Sequence, residues 1–163
     1  MNKIFPLLLF FISIIGNAQD LKTIRAKYLK AVESAEITTK IDGELANVNS
    51  SSRPVLIAYK GAVSTLKAKF SKSKSEKKEF FKQGVVLIES AVKAEPSNIE
   101  IRYIRLGVQE NSPKFLGYHK NIEEDKDFIL KNFAMVSSKE LGEVIKNFAL
   151  KSKSFSESEK SGI

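Results

Sequence analysis

The chain has 163 residues, with 27 lysines and arginines against 19 acidic residues, one histidine and no cysteine, for a formal charge of +8. The lack of cysteine excludes disulfide frameworks, thiolate zinc sites, thiol nucleophiles and a lipid-modified cysteine. The length suits one domain with its own core. The positive excess is mostly lysine, dispersed from Lys22 to Lys160 and densest from Lys67 to Lys82. It reads as a hydrated surface that attracts anions rather than as a nucleic-acid footprint.

Residues 1–19 open with Lys3, continue with an apolar run from Ile4 to Ile15, and close on Gly16-Asn17-Ala18-Gln19. A basic start, a short apolar middle and a small-residue exit define a secretory signal peptide. The run falls short of the roughly 20 apolar residues that cross a bilayer. The mature protein is therefore expected to begin near Asp20, exported to the periplasm or beyond, with no stable membrane anchor after cleavage.

From Leu21 to Ala35 the apolar positions Leu21, Ile24, Tyr28 and Ala31 recur at the helical period, and Asp20 is a suitable N-cap. Ile37, Ile41, Leu45 and Val48 suggest a second helix, followed by a polar loop from Asn47 to Arg53. Pro54 stands at the first position of a third helix, whose stripe is Val55, Tyr59, Ala62/Val63, Leu66 and Phe70. Ser71 to Ser75 reads as a flexible connector, with Ser75 opening a helix that carries Phe80/Phe81, Gly84, Leu87/Ile88 and Ala91/Val92. Ser97 and Glu100 have capping-box spacing before a helix over Ile99 to Gln109. Asn121 with Glu124, and Ser137 with Glu140, mark two further helix starts. Residues 151–163 have little to bury and are expected to form a disordered tail. The expected organisation is an all-α domain of about seven helices in antiparallel hairpins over 20–150.

Ala91-Val-Lys-Ala-Glu-Pro96-Ser-Asn98-Ile-Glu100, with Tyr103, Leu106 and Gly107 beyond it, resembles the boundary between tetratricopeptide repeats. Gly84, Ile88 and Ala91 fall where that repeat places small, bulky and small residues. The match covers about 35 residues and departs from the repeat in two ways: the connector after the helix that starts at Pro54 reads as longer than the repeat's tight turn, and the chain after Asn111 leads to no tight turn and second standard helix. Over most of the mature length, Pro96 to Arg105, Pro113 to Tyr118, Asn121 to Lys126 and the Asn17-Ala18-Gln19 ending are similar to uncharacterised exported proteins of the Flavobacteria and their relatives. That resemblance implies an exported helical protein and implies no chemistry.

The densest polar set is Glu100, Arg102, Arg105 and Gln109 on one helix, with Glu123, Glu124 and Asp125 at the next helix start. Arg102 and Arg105 share a side and can grip a carboxylate or phosphate bidentately. Glu100 can approach Arg105 on the neighbouring turn of its own helix. The competing reading, which is favoured, is an internal ion-pair network in which Arg102 and Arg105 tie the helix to Glu123, Glu124 or Asp125. His119 and Glu123 have metal-ligand spacing, but acids in a first helical turn also answer its dipole. The loop Phe115 to Tyr118 reads as a plug on the core or as the lip of a ligand site. No catalytic constellation, cofactor motif or phosphate loop is recognised. The expected function is a non-catalytic interaction or scaffold module of the cell envelope, its partner another envelope protein. The alternative is a binder of a small anion or anionic envelope polymer through Arg102, Arg105 and surface lysines.

Overall fold

A computed structural model describes the backbone of residues 12–163 and the side chains of residues 21–163. Most of the expected signal peptide lies outside the described residues. Among the described residues the chain is all-helical: α1 Ile12–Ala31, α2 Ala35–Glu44, α3 Pro54–Phe70, α4 Lys74–Ala94, α5 Ile99–Asn111, α6 Ile122–Asn132, α7 Lys139–Lys151 and α8 Glu157–Lys160. Short 3₁₀ turns occupy Lys114–Leu116 and Phe133–Met135.

Side-chain caps set most helix starts. Ser34, Ser73, Asn98, Ser138 and Ser156 each accept a hydrogen bond from a backbone N–H in the first turn that follows. Three expected starts are corrected by these bonds, and two other expected caps by the geometry of α6 and α1. The α4 cap is Ser73, not Ser75, which shortens the connector after α3 to three residues. The α5 cap is Asn98, not Ser97, and the α7 cap is Ser138, not Ser137. Asn121 precedes α6 without capping it; its amide instead donates to Glu124 at 2.8 Å. Asp20 is not a cap either, because α1 is already helical from Ile12.

The helices pack as hairpins. In α3–α4, Gly61 faces Gly84 so closely that a Cβ on Gly84 would lie 2.5 Å from the Gly61 carbonyl oxygen. The Ser64 hydroxyl donates to the Phe80 carbonyl at 2.8 Å, confirming the antiparallel register. Two positions without a Cβ thus let two helix backbones touch, and the three-residue turn closes the pair.

α5 is the inner helix, in contact with α3, α4, α6 and α7. Ile101, Ile104 and Leu106 are buried in one core with Ile41, Tyr59, Val63, Ile88, Ile129 and Ile145. Helices surround α5, so its polar residues are buried too: Glu100, Arg102, Arg105 and Gln109 are all 8 % exposed or less. Buried polar groups cost free energy unless they are paired. That requirement shapes the site.

The tail is a correction. Phe155 is buried against Phe148, Ser152 Oγ donates to Glu110 at 2.8 Å, and a capping box between Ser156 and Glu159 starts α8. Phe155 and Ile163 supply the apolar anchors that the polar composition conceals.

Candidate functional site

Two arginine networks flank α5. In the first, Arg25 from α1 grips Glu100 bidentately, Nε to Oε1 at 2.6 Å and Nη2 to Oε2 at 2.7 Å. The Tyr59 hydroxyl of α3 donates to Glu100 Oε1 at 2.7 Å, and Arg25 Nη1 reaches Glu140 of α7 at 3.3 Å. One carboxylate on the inner helix therefore ties together α1, α3 and, through Arg25, α7. Because Asn98 is the cap, Glu100 is released from the capping box and turns inward. It does not meet Arg105, as its spacing suggests; its partners lie 41 and 75 residues away.

In the second network Arg105 grips Asp125 of α6 bidentately, with both bonds at 2.7 Å. Arg102 Nη1 donates to Asp125 Oδ1 at 2.9 Å and also to Glu124, while its Nε donates to the Pro96 carbonyl. Gln109 donates to Asp125 Oδ2 at 3.1 Å and accepts the Asn121 backbone N–H at 3.0 Å. Arg105 also reaches Glu89 of α4 at 3.2 Å, and Glu89 takes the Tyr118 hydroxyl at 2.6 Å. The Phe128 ring lies 5.0 Å from the Arg102 guanidinium, covering its face.

The electrostatics follow from burial and pairing. Burial works against the Arg25 cation, but the hydrogen bonds and charge of Glu100 outweigh it and hold the guanidinium above its ordinary value. Arg105 is held higher in the same way by Asp125. Glu124 is lowered by its Arg102 hydrogen bond and then by Asn121. Tyr59 is pushed well above the usual phenol by burial, reinforced by Glu100. No buried side-chain nitrogen or oxygen among the described residues lacks a partner.

The sequence-predicted residues divide accordingly. Arg102, Arg105, Gln109 and Glu124 meet around Asp125, while Glu100 belongs to the Arg25 network. Glu123 joins neither and pairs with Lys126 at 2.7 Å. His119 Nε2 sits 2.9 Å from the Ser112 carbonyl oxygen, which only accepts, so that nitrogen is the donor and is not a free ligand. His119 and Glu123 thus have separate commitments. In the aromatic loop Tyr118 is buried as a plug, whereas Phe115 is 87 % exposed. Arg25, Tyr59 and Glu89 were not legible as partners from spacing along one helix.

Chemically, the second network holds two guanidiniums and three carboxylates, Glu89, Glu124 and Asp125. Its forks are filled and its surplus is negative, which opposes an incoming anion. Two open surface depressions lie elsewhere. One, of about 690 Å³, runs along α4 past Lys78, Lys82 and Val86. The other, of about 330 Å³, lies between Phe133 and Lys146. Each is lined by a single carboxylate among the described residues, Glu79 and Glu143 respectively.

No protein-family model, curated protein or solved structure matches the chain.

Proposed function

We propose that this chain is an exported, non-catalytic helical protein that serves as an interaction or scaffold module of the cell envelope. The observation that carries the reading is the internal commitment of its reactive side chains. The arginines of both networks are committed to carboxylates of neighbouring helices, and neither of the two depressions described above brings a pair of carboxylates together among the described residues. General acid–base or nucleophilic work needs such groups convergent and accessible. What the fold presents outward is helix surface.

Export rests on Met1–Gln19, whose charge and apolar pattern are those of a cleaved leader. Kinship with tetratricopeptide-like stacks rests on the tight α3–α4 hairpin, its Gly61–Gly84 contact and the Pro96-Ser-Asn98 passage into α5. Stacked hairpins of this kind offer extended faces to partners. Phe115 and Met135, 87 % and 71 % exposed on the 3₁₀ turns that precede and follow α6 in the chain, are large apolar side chains available to such a partner.

The test is photo-crosslinking in the native host, with a benzophenone amino acid at Phe115 or Met135 and a control at exposed Lys40. A discrete adduct from either site but not from Lys40 is expected. Uniform failure at both apolar sites in correctly exported protein overturns the interaction reading. The anion-binding alternative draws no support from Arg102 and Arg105, which already hold carboxylates.

A further inference from the structure

A dense run of uncompensated positive charge lies at the tip of the α3–α4 hairpin. Between Lys67 and Lys82 the chain places seven lysines against two glutamates, Glu76 and Glu79. Lys67 is neutralised by Asp42 at 2.7 Å, and Lys69 donates to the Val32 carbonyl and lies 3.8 Å from Glu33. Lys72, Lys74, Lys77, Lys78 and Lys82 are exposed and make no ion pair or side-chain hydrogen bond among the described residues. The two glutamates are engaged locally, Glu76 by the Ser71 hydroxyl at 2.7 Å and Glu79 by the Gln83 amide at 3.0 Å. Elsewhere some lysines, Lys27, Lys40, Lys126 and Lys160 among them, have a glutamate within 2.8 Å, and others, such as Lys93, Lys131 and Lys139, stand unpaired but scattered along the chain. Among the described residues, only here are five unpaired lysines gathered within eleven residues.

We propose that this hairpin tip is a docking surface for an anionic lipid bilayer. Three features select that occupant. The cations are lysines, point charges on flexible stems, where recognition of one shaped phosphate or carboxylate favours the rigid fork of arginine. They spread around the tip and along the flank of α4, with Lys74, Lys78 and Lys82 one turn apart, so a single small anion meets only one or two of them while a charged plane meets all. Val86, 60 % exposed, continues the same stripe one turn beyond Lys82 and supplies an apolar contact at the interface.

The arrangement also strains the isolated protein. Like charges four residues apart repel, and lysines in a first helical turn oppose the helix dipole. An anionic leaflet reverses both effects. No described helix is long and apolar enough to cross a membrane, so the contact is peripheral. The proposal does not depend on export or on a protein partner, because it is tested with purified protein.

The experiment is vesicle flotation of the purified mature-length chain, from Asp20 onward. It compares phosphatidylcholine vesicles with vesicles of equal parts phosphatidylcholine and phosphatidylglycerol. Binding is expected only to the anionic vesicles, weakening as salt rises. The combined variant Lys74→Gln, Lys78→Gln and Lys82→Gln is expected to lower partitioning on the order of a hundredfold, from about fivefold per lysine. Its net charge is matched by Lys131→Gln, Lys139→Gln and Lys153→Gln, a control on exposed lysines expected to change binding little. Circular dichroism verifies that both variants remain folded. Equal losses in the two variants, equal binding to neutral vesicles, or tight polyglutamate binding without vesicle binding each overturn the proposal.

Discussion

Asp125 accepts four hydrogen bonds, from Arg102, twice from Arg105 and from Gln109, while wholly excluded from solvent. Asp125→Asn keeps the shape, removes the charge and turns an amide donor toward guanidinium donors. Breaking a buried pair in this way costs about 3–5 kcal/mol, because it leaves the remaining charge uncompensated. Glu124 touches the same arginines but is half exposed, so Glu124→Gln is expected to cost less than about 1 kcal/mol. Urea unfolding of the two variants separates them; an Asp125→Asn midpoint close to that of the parent would show that the network carries no structural weight. The central residue had a signal in the sequence. Asp125 lies four residues before Ile129 on the buried stripe of α6, and Arg25 lies between Ile24 and Tyr28 on that of α1. A charge on an apolar stripe announces a buried pair, but periodicity along one helix is blind to its partner. That is why Arg102 and Arg105 were legible as a candidate cluster while the grip of Arg25 on Glu100, 75 residues apart, was not.

At the scale of elements, helix existence was legible and helix starts were less so. Amphipathic stripes such as Leu141, Ile145 and Phe148 are set by period, which averages over many residues. A start depends on which of several neighbouring polar side chains wins the cap, and in Ser97-Asn98 and Ser137-Ser138 the second one does. The one-residue difference matters: it moves Glu100 out of a capping role and into the core. The α3–α4 hairpin rests on a different device. Gly84→Ala places a Cβ 2.5 Å from the Gly61 carbonyl oxygen, a backbone atom that moves only if the helices separate. Overpacking of this kind costs roughly 1–3 kcal/mol even after the helix-propensity gain of alanine. Gly142 in α7 has no neighbour within 4 Å of a built Cβ, so Gly142→Ala is expected to stabilise by up to about 1 kcal/mol. Thermal melts of the two alanine variants shifting in opposite directions would support this packing; parallel shifts would count against the glycine contact.

The whole molecule is held by couplings that cross it, and residues 152–163 belong to them. Phe155 packs on Phe148 of α7, Ser152 and the Lys153 N–H bind Glu110 at the end of α5, and Lys126 of α6 reaches Glu159 at 3.3 Å. Composition misleads here because two apolar side chains, Phe155 and Ile163, suffice to dock a polar segment onto a formed core. The four tyrosines report on that core from four places: Tyr28 in α1, Tyr59 in α3, Tyr103 in α5 and Tyr118 before α6. Burial pushes Tyr28 up to about 12 and raises the other three further. The charge of Glu100 adds to burial at Tyr59 and Tyr103, and the bond to Glu89 adds to it at Tyr118. Each phenol holds its proton more tightly folded than unfolded, so the stabilisation is fully present below the unfolded value of about 10. It is lost as pH rises from there through the folded values. An alkaline titration of the native protein should therefore show no tyrosinate absorbance near pH 10, where the urea-unfolded chain ionises. Above it, tyrosinate should appear in one step together with loss of helical circular dichroism, because each phenol is freed only when the helices around it part. Independent ionisation near pH 10 with the helices intact would place the tyrosines at the surface and remove the basis for a buried α5.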